Sequence, residues 1–268
     1  PGTRPDLFSK ALAGPADAIS IDLEDSVVAS KKAQARHIIS EFLLSSQLAT
    51  CHKSIIVRCN GIDTSHFKDD LAAVIRPNLN MLNLPKIESA KDILAAITLI
   101  EKAERDNAVV KPIPLLVNIE TAKGLRNVIE ICAAHKRVAG LQLGLNDLFD
   151  SAGIDRDDKV SVHSVMLTLR LAACEAGIKV YDGAFPDINN MQGFQAEVEM
   201  ARRLGYSGKS CIHPNQVATV NRLFMPTAEE VALAEQIVAA ANEAESNGAG
   251  VFTVAGKMID LPAIQRAK

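Results

Sequence analysis

Ile113-Pro-Leu-Leu-Val-Asn-Ile-Glu120-Thr-Ala-Lys-Gly124 is an apolar run that stops on one carboxylate and breaks at once into helix-forming sequence. The pattern recurs at Val138-Ala-Gly-Leu-Gln-Leu-Gly144-Leu-Asn-Asp147 and at Ala18-Ile-Ser-Ile-Asp22-Leu-Glu24-Asp25, and with a cation at Ser54-Ile-Ile-Val-Arg58-Cys-Asn60. Runs this continuously apolar suit strands buried on both faces of a parallel sheet. Charges set repeatedly where such strands stop furnish the C-terminal rim of a barrel, the end at which barrels of this kind carry their functional groups.

Outward from these runs, strand-like and helix-like stretches alternate, the arrangement of parallel βα units. Strands are expected at Ala18 to Leu23, Ser54 to Arg58, Met81 to Leu84, Ile113 to Ile119, Gly140 to Leu143, Ile178 to Tyr181 and Gly208 to Ile212. An eighth strand would precede Pro1, so the fold class is an α/β TIM (β/α)8 barrel with its first strand missing from this sequence. Helices are expected at Lys31 to Leu44, Ala122 to Ala133, Val162 to Glu175 and Gly193 to Leu204. In a further helix Ile93, Leu94, Ile97 and Ile100 share one face, with Ser89 as cap and Asp92 at its third position. Thr227-Ala-Glu-Glu230 has the form of a capping box opening a helix to about Glu245. Residues 1–225 form the barrel core, and 226–268 a C-terminal helix and a short Gly-punctuated tail.

The chain has 268 residues, 48% of them apolar, and a net charge of −3. That length suits one large α/β domain, and that charge disfavours nucleic acid or anionic membrane as partner. No apolar run approaches a membrane span and no signal peptide is visible. Five scattered cysteines, odd in number and never in C-x-x-C spacing, point to a reducing compartment. The expectation is a cytoplasmic protein. G-x-S-x-G, Walker A and G-x-G-x-x-G motifs are all absent, which removes the common hydrolase and nucleotide readings.

Glu120 and Asp147 end adjacent strands and could share one hard cation. Mg²⁺ prefers oxygen ligands, keeps waters, and needs only one or two protein carboxylates. Arg58 could hold a substrate carboxylate in two-pronged fashion, or pair with Glu24 or Asp25 of the preceding strand, and both can hold at once. Of Asp22, Glu24 and Asp25 some would face the pocket and others would cap the helix opening near Ser30. Lys86, after Leu84-Pro85, could neutralise substrate or orient an acid. His213, in a turn before Pro214, reads as structural.

These strand-end residues occur in order with Pro1-Gly-Thr-Arg4-Pro…Lys10-Ala, Asp22-Leu-Glu-Asp25, Val57-Arg58-x-Asn60, Leu84-Pro-Lys86, Ile119-Glu120-Thr and Gly144-x-x-Asp147-Leu. Gly208-Lys-x-x-Ile212-His-Pro-x-Gln216 and Met258-Ile-Asp260-x-Pro262 complete the series. Together they resemble the citrate lyase beta subunit family of acyl-CoA lyases, malyl-CoA and citramalyl-CoA lyases included, over essentially the whole chain. The resemblance implies a TIM barrel binding Mg²⁺ through Glu120 and Asp147, with Arg58 on the keto-acid part and Glu24, Asp25 and Lys86 around it. It also implies Arg4 and Lys10 near the coenzyme A phosphates, and Asp260 as an acid/base supplied by a neighbouring protomer. That last role requires more than a monomer, and a homo-oligomer, trimer or hexamer, is expected. Asn146 departs from the family pattern, where small or acidic residues are frequent.

The implied reaction cleaves a 3-hydroxy-3-carboxyacyl thioester, (S)-citramalyl-CoA to acetyl-CoA and pyruvate or malyl-CoA to acetyl-CoA and glyoxylate. The alternatives are a citrate lyase beta subunit acting on a citryl thioester of an acyl carrier protein, a non-catalytic binding barrel, and an aldolase of free keto acids.

Overall fold

The computed structural model describes residues 1–48, 50–246 and 250–268. They form two compact units, Pro1–Arg222 and Leu223–Lys268. The first unit opens with α1 (Pro5–Ala13), β1 (Ala18–Asp22), α2 (Lys32–Leu44), β2 (Ser54–Arg58), α3 (Phe67–Val74), β3 (Met81–Leu84) and α4 (Ala90–Asp106). It continues with β4 (Leu115–Ile119), α5 (Ala122–Arg126), α6 (Val128–Ala133), β5 (Val138–Leu143), α7 (Leu145–Ala152), α8 (Lys159–Glu175), β6 (Lys179–Tyr181) and α9 (Met191–Arg203). The helix α10 (Pro214–Phe224) runs across the boundary between the units.

All six strands of the first unit are parallel and pair in chain order, β1 to β6. They make the curled, barrel-type α/β sheet expected from the apolar runs. Every residue of β4 is buried, as a strand covered on both faces requires. The core lies between the strands and the helices, with Ile21, Ile55, Leu82 and Leu141 of the sheet and Ile39, Leu71, Ile93 and Phe194 of the helices all essentially inaccessible. Each such side chain contributes roughly 1.5–3 kcal/mol of transfer free energy.

Three expectations are refined. Leu94 is half exposed while Ile93, Ile97 and Ile100 are buried, because the i, i+4 and i+7 positions share a helical stripe and the next residue is rotated about 100° from it. The single helix expected over Ala122 to Ala133 is broken at Asn127, whose side-chain amide donates to Glu88 O at 2.8 Å. The run Gly208 to Ile212 forms only one parallel bridge, Asp182 with Lys209. Beyond it the backbone N–H groups of Ile212 and His213 donate to Gln216 Oε1 instead, so no strand partner is needed.

On the free edge of β1, Gly2 N donates to Asp22 O at 2.7 Å, placing the start of α1 at the C-terminal end of the sheet. The Ser89 cap holds, its hydroxyl accepting from Asp92 N. None of Asp22, Glu24 and Asp25 caps α2, whose first residues carry no side-chain cap.

The second unit contains α11 (Ala228–Ser246), an antiparallel hairpin of β7 (Phe252–Val254) and β8 (Lys257–Ile259), and α12 (Leu261–Ala267). The capping box is formed reciprocally, Thr227 N to Glu230 Oε2 at 2.8 Å and Glu230 N to Thr227 Oγ1 at 3.2 Å. Among the described residues, no helix is long and apolar enough to cross a membrane.

Candidate active site

Strand register sets the site. Asp22, Arg58 and Asn83 are successive Cα partners across β1, β2 and β3, and Asn118, Gln142 and Tyr181 are partners across β4, β5 and β6. Partners in register point to the same face. Across β3 and β4 Asn83 partners Leu116, two residues before Asn118, so the two polar sets share that face one step apart just below its C-terminal rim. Glu120 stands two residues beyond Asn118 and so projects on the same side.

Arg58 is gripped from one flank. Its Nε and Nη2 donate to the two oxygens of Asp22 at 2.7 and 2.9 Å, and Nη1 lies 2.9 Å from Glu24 Oε2 and 3.7 Å from Asp25. The Glu24 contact is an ion pair not aligned as a hydrogen bond, which leaves Glu24 Oε2 buried without a hydrogen-bond donor. Burial pushes the Asp22 carboxyl up, but the two-pronged guanidinium outweighs it and holds the group at about 2. Asp22 also accepts from Glu24 N and Ser26 N, closing the turn that carries Glu24 and Asp25. Lys86 Nζ reaches the other Glu24 oxygen at 2.8 Å, so Glu24 bridges the two cations expected at the site.

Glu120 is the buried acid. Its Oε1 accepts from Lys86 N at 2.7 Å and its Oε2 from Asn118 Nδ2 at 3.3 Å. To present that N–H, Lys86 adopts a left-handed φ of 52°, a conformation that costs a non-glycine residue on the order of 1 kcal/mol or more. Gly144 makes room on the other side. A Cβ there would overlap Glu120 Cβ and lie 2.6 Å from Glu120 Oε2. Burial, then the charge of Glu24, raises the Glu120 carboxyl to about 7; Asp147 pushes the same way, while the Lys86 N–H and Arg58 oppose.

Asp147 sits in the first turn of α7, directly after β5, rather than on the strand itself. It is exposed and, among the described residues, accepts no hydrogen bond and joins no ion pair. Donor chemistry fits a Mg²⁺ ion here. The described residues contain no cluster of three or more His, Cys, Asp or Glu that could ligate a metal; the donors to such an ion would be two carboxylates, one buried and repelled by its neighbours, one open. Zinc would call for more nitrogen or sulfur, whereas Mg²⁺ takes one or two carboxylates and fills its shell with water and substrate oxygens.

Arg4 is exposed at the start of α1 and donates to both Asp6 oxygens at 2.9 and 2.8 Å. Lys10 is exposed in the last turn of α1. Asp260 belongs to the second unit, where its Oδ1 caps α12 by accepting from Ala263 N at 3.3 Å. His213 Nδ1 accepts from Asn215 N at 3.2 Å, the turn role expected of it.

Sequence reasoning passed over the amides. Asn83 Nδ2 donates to Gln142 Oε1 at 3.2 Å and Gln142 Nε2 to Ser210 Oγ at 2.6 Å, beneath the acids. The signal for Asn118 was present, since it alternates with Glu120; for Asn83 and Gln142 only strand pairing shows the common face.

The Glu120 carboxyl gives a pH prediction. With a value of about 7 folded and 4.5 as the ordinary one, the folded chain binds more protons than the unfolded chain between those limits. Metal-free stability therefore falls as pH rises from about 4.5 to about 7, and the deficit is complete above 7. Glu120→Gln cannot ionise, so it is expected to exceed the wild type by ~1–3 kcal/mol at pH 8 and to match it at pH 4. Denaturant unfolding of both proteins at the two pH values checks this; a difference independent of pH contradicts it.

The family model described as HpcH/HpaI aldolase/citrate lyase matches residues 1–214. The chain is 33% identical over 271 residues to citrate lyase subunit beta of Leuconostoc mesenteroides subsp. cremoris, covering 100% of this chain and 89% of that protein. It is 34% identical over 289 residues to the L-malyl-CoA/beta-methylmalyl-CoA lyase of Cereibacter sphaeroides, covering 100% and 90%. Protein CitE of Mycobacterium tuberculosis, solved in complex with magnesium, acetoacetate and coenzyme A, superposes with a TM-score of 0.78 at 29% identity, covering 100% of this chain and 92% of that one. The chain belongs to the HpcH/HpaI aldolase/citrate lyase family.

Proposed function

We propose that this family member is a Mg²⁺-dependent carbon–carbon lyase that cleaves a 3-hydroxy-3-carboxyacyl-CoA thioester, (S)-citramalyl-CoA to acetyl-CoA and pyruvate foremost and malyl-CoA to acetyl-CoA and glyoxylate next. The observation that carries it is the pairing of buried Glu120 with open Asp147 on adjacent strand–helix turns, one strand from the Arg58–Glu24–Lys86 cluster. The relatives named as lyases and the relative solved with magnesium and coenzyme A support the same reading.

Glu120 and Asp147 would hold the ion, which when bound acts as a Lewis acid on the substrate hydroxyl and its neighbouring carboxylate. Arg58, oriented by the two oxygens of Asp22, offsets charge on the oxygen that becomes the keto group. Lys86 and Glu24 fix each other, and Lys86 fixes Glu120 through its backbone. Asp25, at the exposed edge of the same cluster, tunes its charge. The substrate hydroxyl gives its proton to water and its O–H electron pair forms the keto C=O as the bond between C2 and C3 breaks. The C2–C3 pair passes to C2 of the thioester, a proton from Asp260 converts that enolate to the acetyl thioester, and Asp260 takes a proton back from solvent.

Asp260 would come from a neighbouring copy, making residues 226–268 the part that completes the next site and the protein a homo-oligomer, trimer or hexamer. Arg4 and Lys10 would take the coenzyme A phosphates. The likeness to a citrate lyase subunit beta favours a second reading, cleavage of a citryl thioester on an acyl carrier protein to give oxaloacetate.

A panel of citramalyl-, malyl- and citryl-CoA and a citryl-acyl carrier protein, each assayed with Mg²⁺ and with chelator, tests the proposal. Mg²⁺-dependent release of acetyl-CoA and pyruvate from citramalyl-CoA is expected, and preference for the carrier-bound citryl thioester supports the second reading. A chain that turns over none of them would be a binding barrel.

A further inference from the structure

Behind Asp147 runs a chain of buried charges that the proposed reaction does not use. Lys209 Nζ donates to Asp182 Oδ2 and Glu197 Oε1, each at 2.6 Å, and to Gly183 O at 2.8 Å. Arg156 Nη2 donates to the other Glu197 oxygen at 2.7 Å, and Arg156 Nε to Asn146 Oδ1 at 3.0 Å. The side chains of Lys209, Asp182 and Glu197 are almost wholly inaccessible, and Lys209 lies 5.9 Å from the centre of the Phe194 ring.

The two ends of this chain close on one turn. At one end Gly183 packs so tightly on Leu143 O that a Cβ there would overlap it. At the other, Arg156 holds Asn146, the residue before Asp147. Gly144 alone connects β5 to α7, and Leu145, Asn146 and Asp147 make up the first turn of that helix. The side chain of Asp147, exposed in that turn, makes no hydrogen bond or ion pair among the described residues. Buried ion pairs contribute little net stability relative to apolar packing, but a satisfied one admits few geometries.

We propose that Arg156 is a positioning residue for the metal site: anchored by Glu197 and Lys209, it fixes Asn146 and so holds Asp147 where it can ligate the cation together with Glu120. This rests on the metal reading above. Groups in such a supporting position change metal affinity by about 10–100-fold when removed.

Asn146→Ala cuts the link at the turn and leaves every buried charge paired. Mn²⁺ titrated into the full chain without substrate, with free Mn²⁺ read by electron paramagnetic resonance, is expected to bind about 10–100-fold more weakly to this variant. The metal-free melting temperature should stay at the wild-type value, and kcat at saturating metal should fall far less than the metal activation constant rises. Asn146→Asp restores an acceptor for Arg156 and should recover the affinity, and adding Arg156→Met to Asn146→Ala should cost nothing more. Wild-type affinity in Asn146→Ala, alongside loss of binding in Asp147→Asn, overturns the inference and leaves the metal reading standing. Wild-type affinity in Asp147→Asn as well overturns both.

Discussion

Asp260→Asn is expected to slow carbon–carbon cleavage by about 10²–10⁴, the span typical of removing a general acid or base, while Mn²⁺ binds as tightly as before. Asparagine keeps an oxygen to accept from Ala263 N, so the cap of α12 survives and the variant should fold. What it loses is a proton to give to the thioester enolate, or a base to take one from the methyl group in the reverse direction. If the residue acts across a subunit boundary, mixed oligomers of Asp260→Asn and Asp147→Asn chains should regain turnover, because some sites would combine an intact metal half with an intact acid. Neither homogeneous variant should do so. An Asp260→Asn enzyme at wild-type rate would remove the residue from the chemistry and leave it as a helix cap.

Glu120→Ala and Asp147→Ala are each expected to lower turnover by on the order of 10³ or more. Several kcal/mol of charge stabilisation are assigned to the ion they are proposed to hold, and each 1.36 kcal/mol is about tenfold in rate. The double variant should be little worse than either single one, since both side chains serve one ion and their losses do not add. The two differ in stability. Glu120→Ala removes a buried, repelled carboxylate but opens space against Gly144 and leaves Lys86 N without its acceptor; Asp147→Ala touches an exposed side chain only.

Much of this was legible in the chain. Apolar runs ending on Glu120, on Arg58 and just before Asp22-Leu-Glu24 marked the parallel strands and their charged rim, most plainly in β4, where burial on both faces leaves no polar alternation, while β1 and β2 alternate buried and more open residues. The Ser89 cap and the Thr227 box followed from short-range hydrogen bonding and were found as expected. Gly208 to Ile212 misled because its strand-like end satisfies its backbone through Gln216, a side chain four residues on. The long-range pairs escaped altogether. Nothing local in Asn146, Arg156, Glu197 or Lys209 announces that they meet, and only the folded sheet brings Asp22 onto Arg58.

The central claim is that Glu120 and Asp147 together hold one divalent cation. Its most direct test is a Mn²⁺ titration of the wild-type chain, Glu120→Ala and Asp147→Ala, with competition by Mg²⁺. One ion per chain, displaced by Mg²⁺ and lost or weakened at least a hundredfold in each variant, is the predicted result. Undiminished binding in either variant would contradict it.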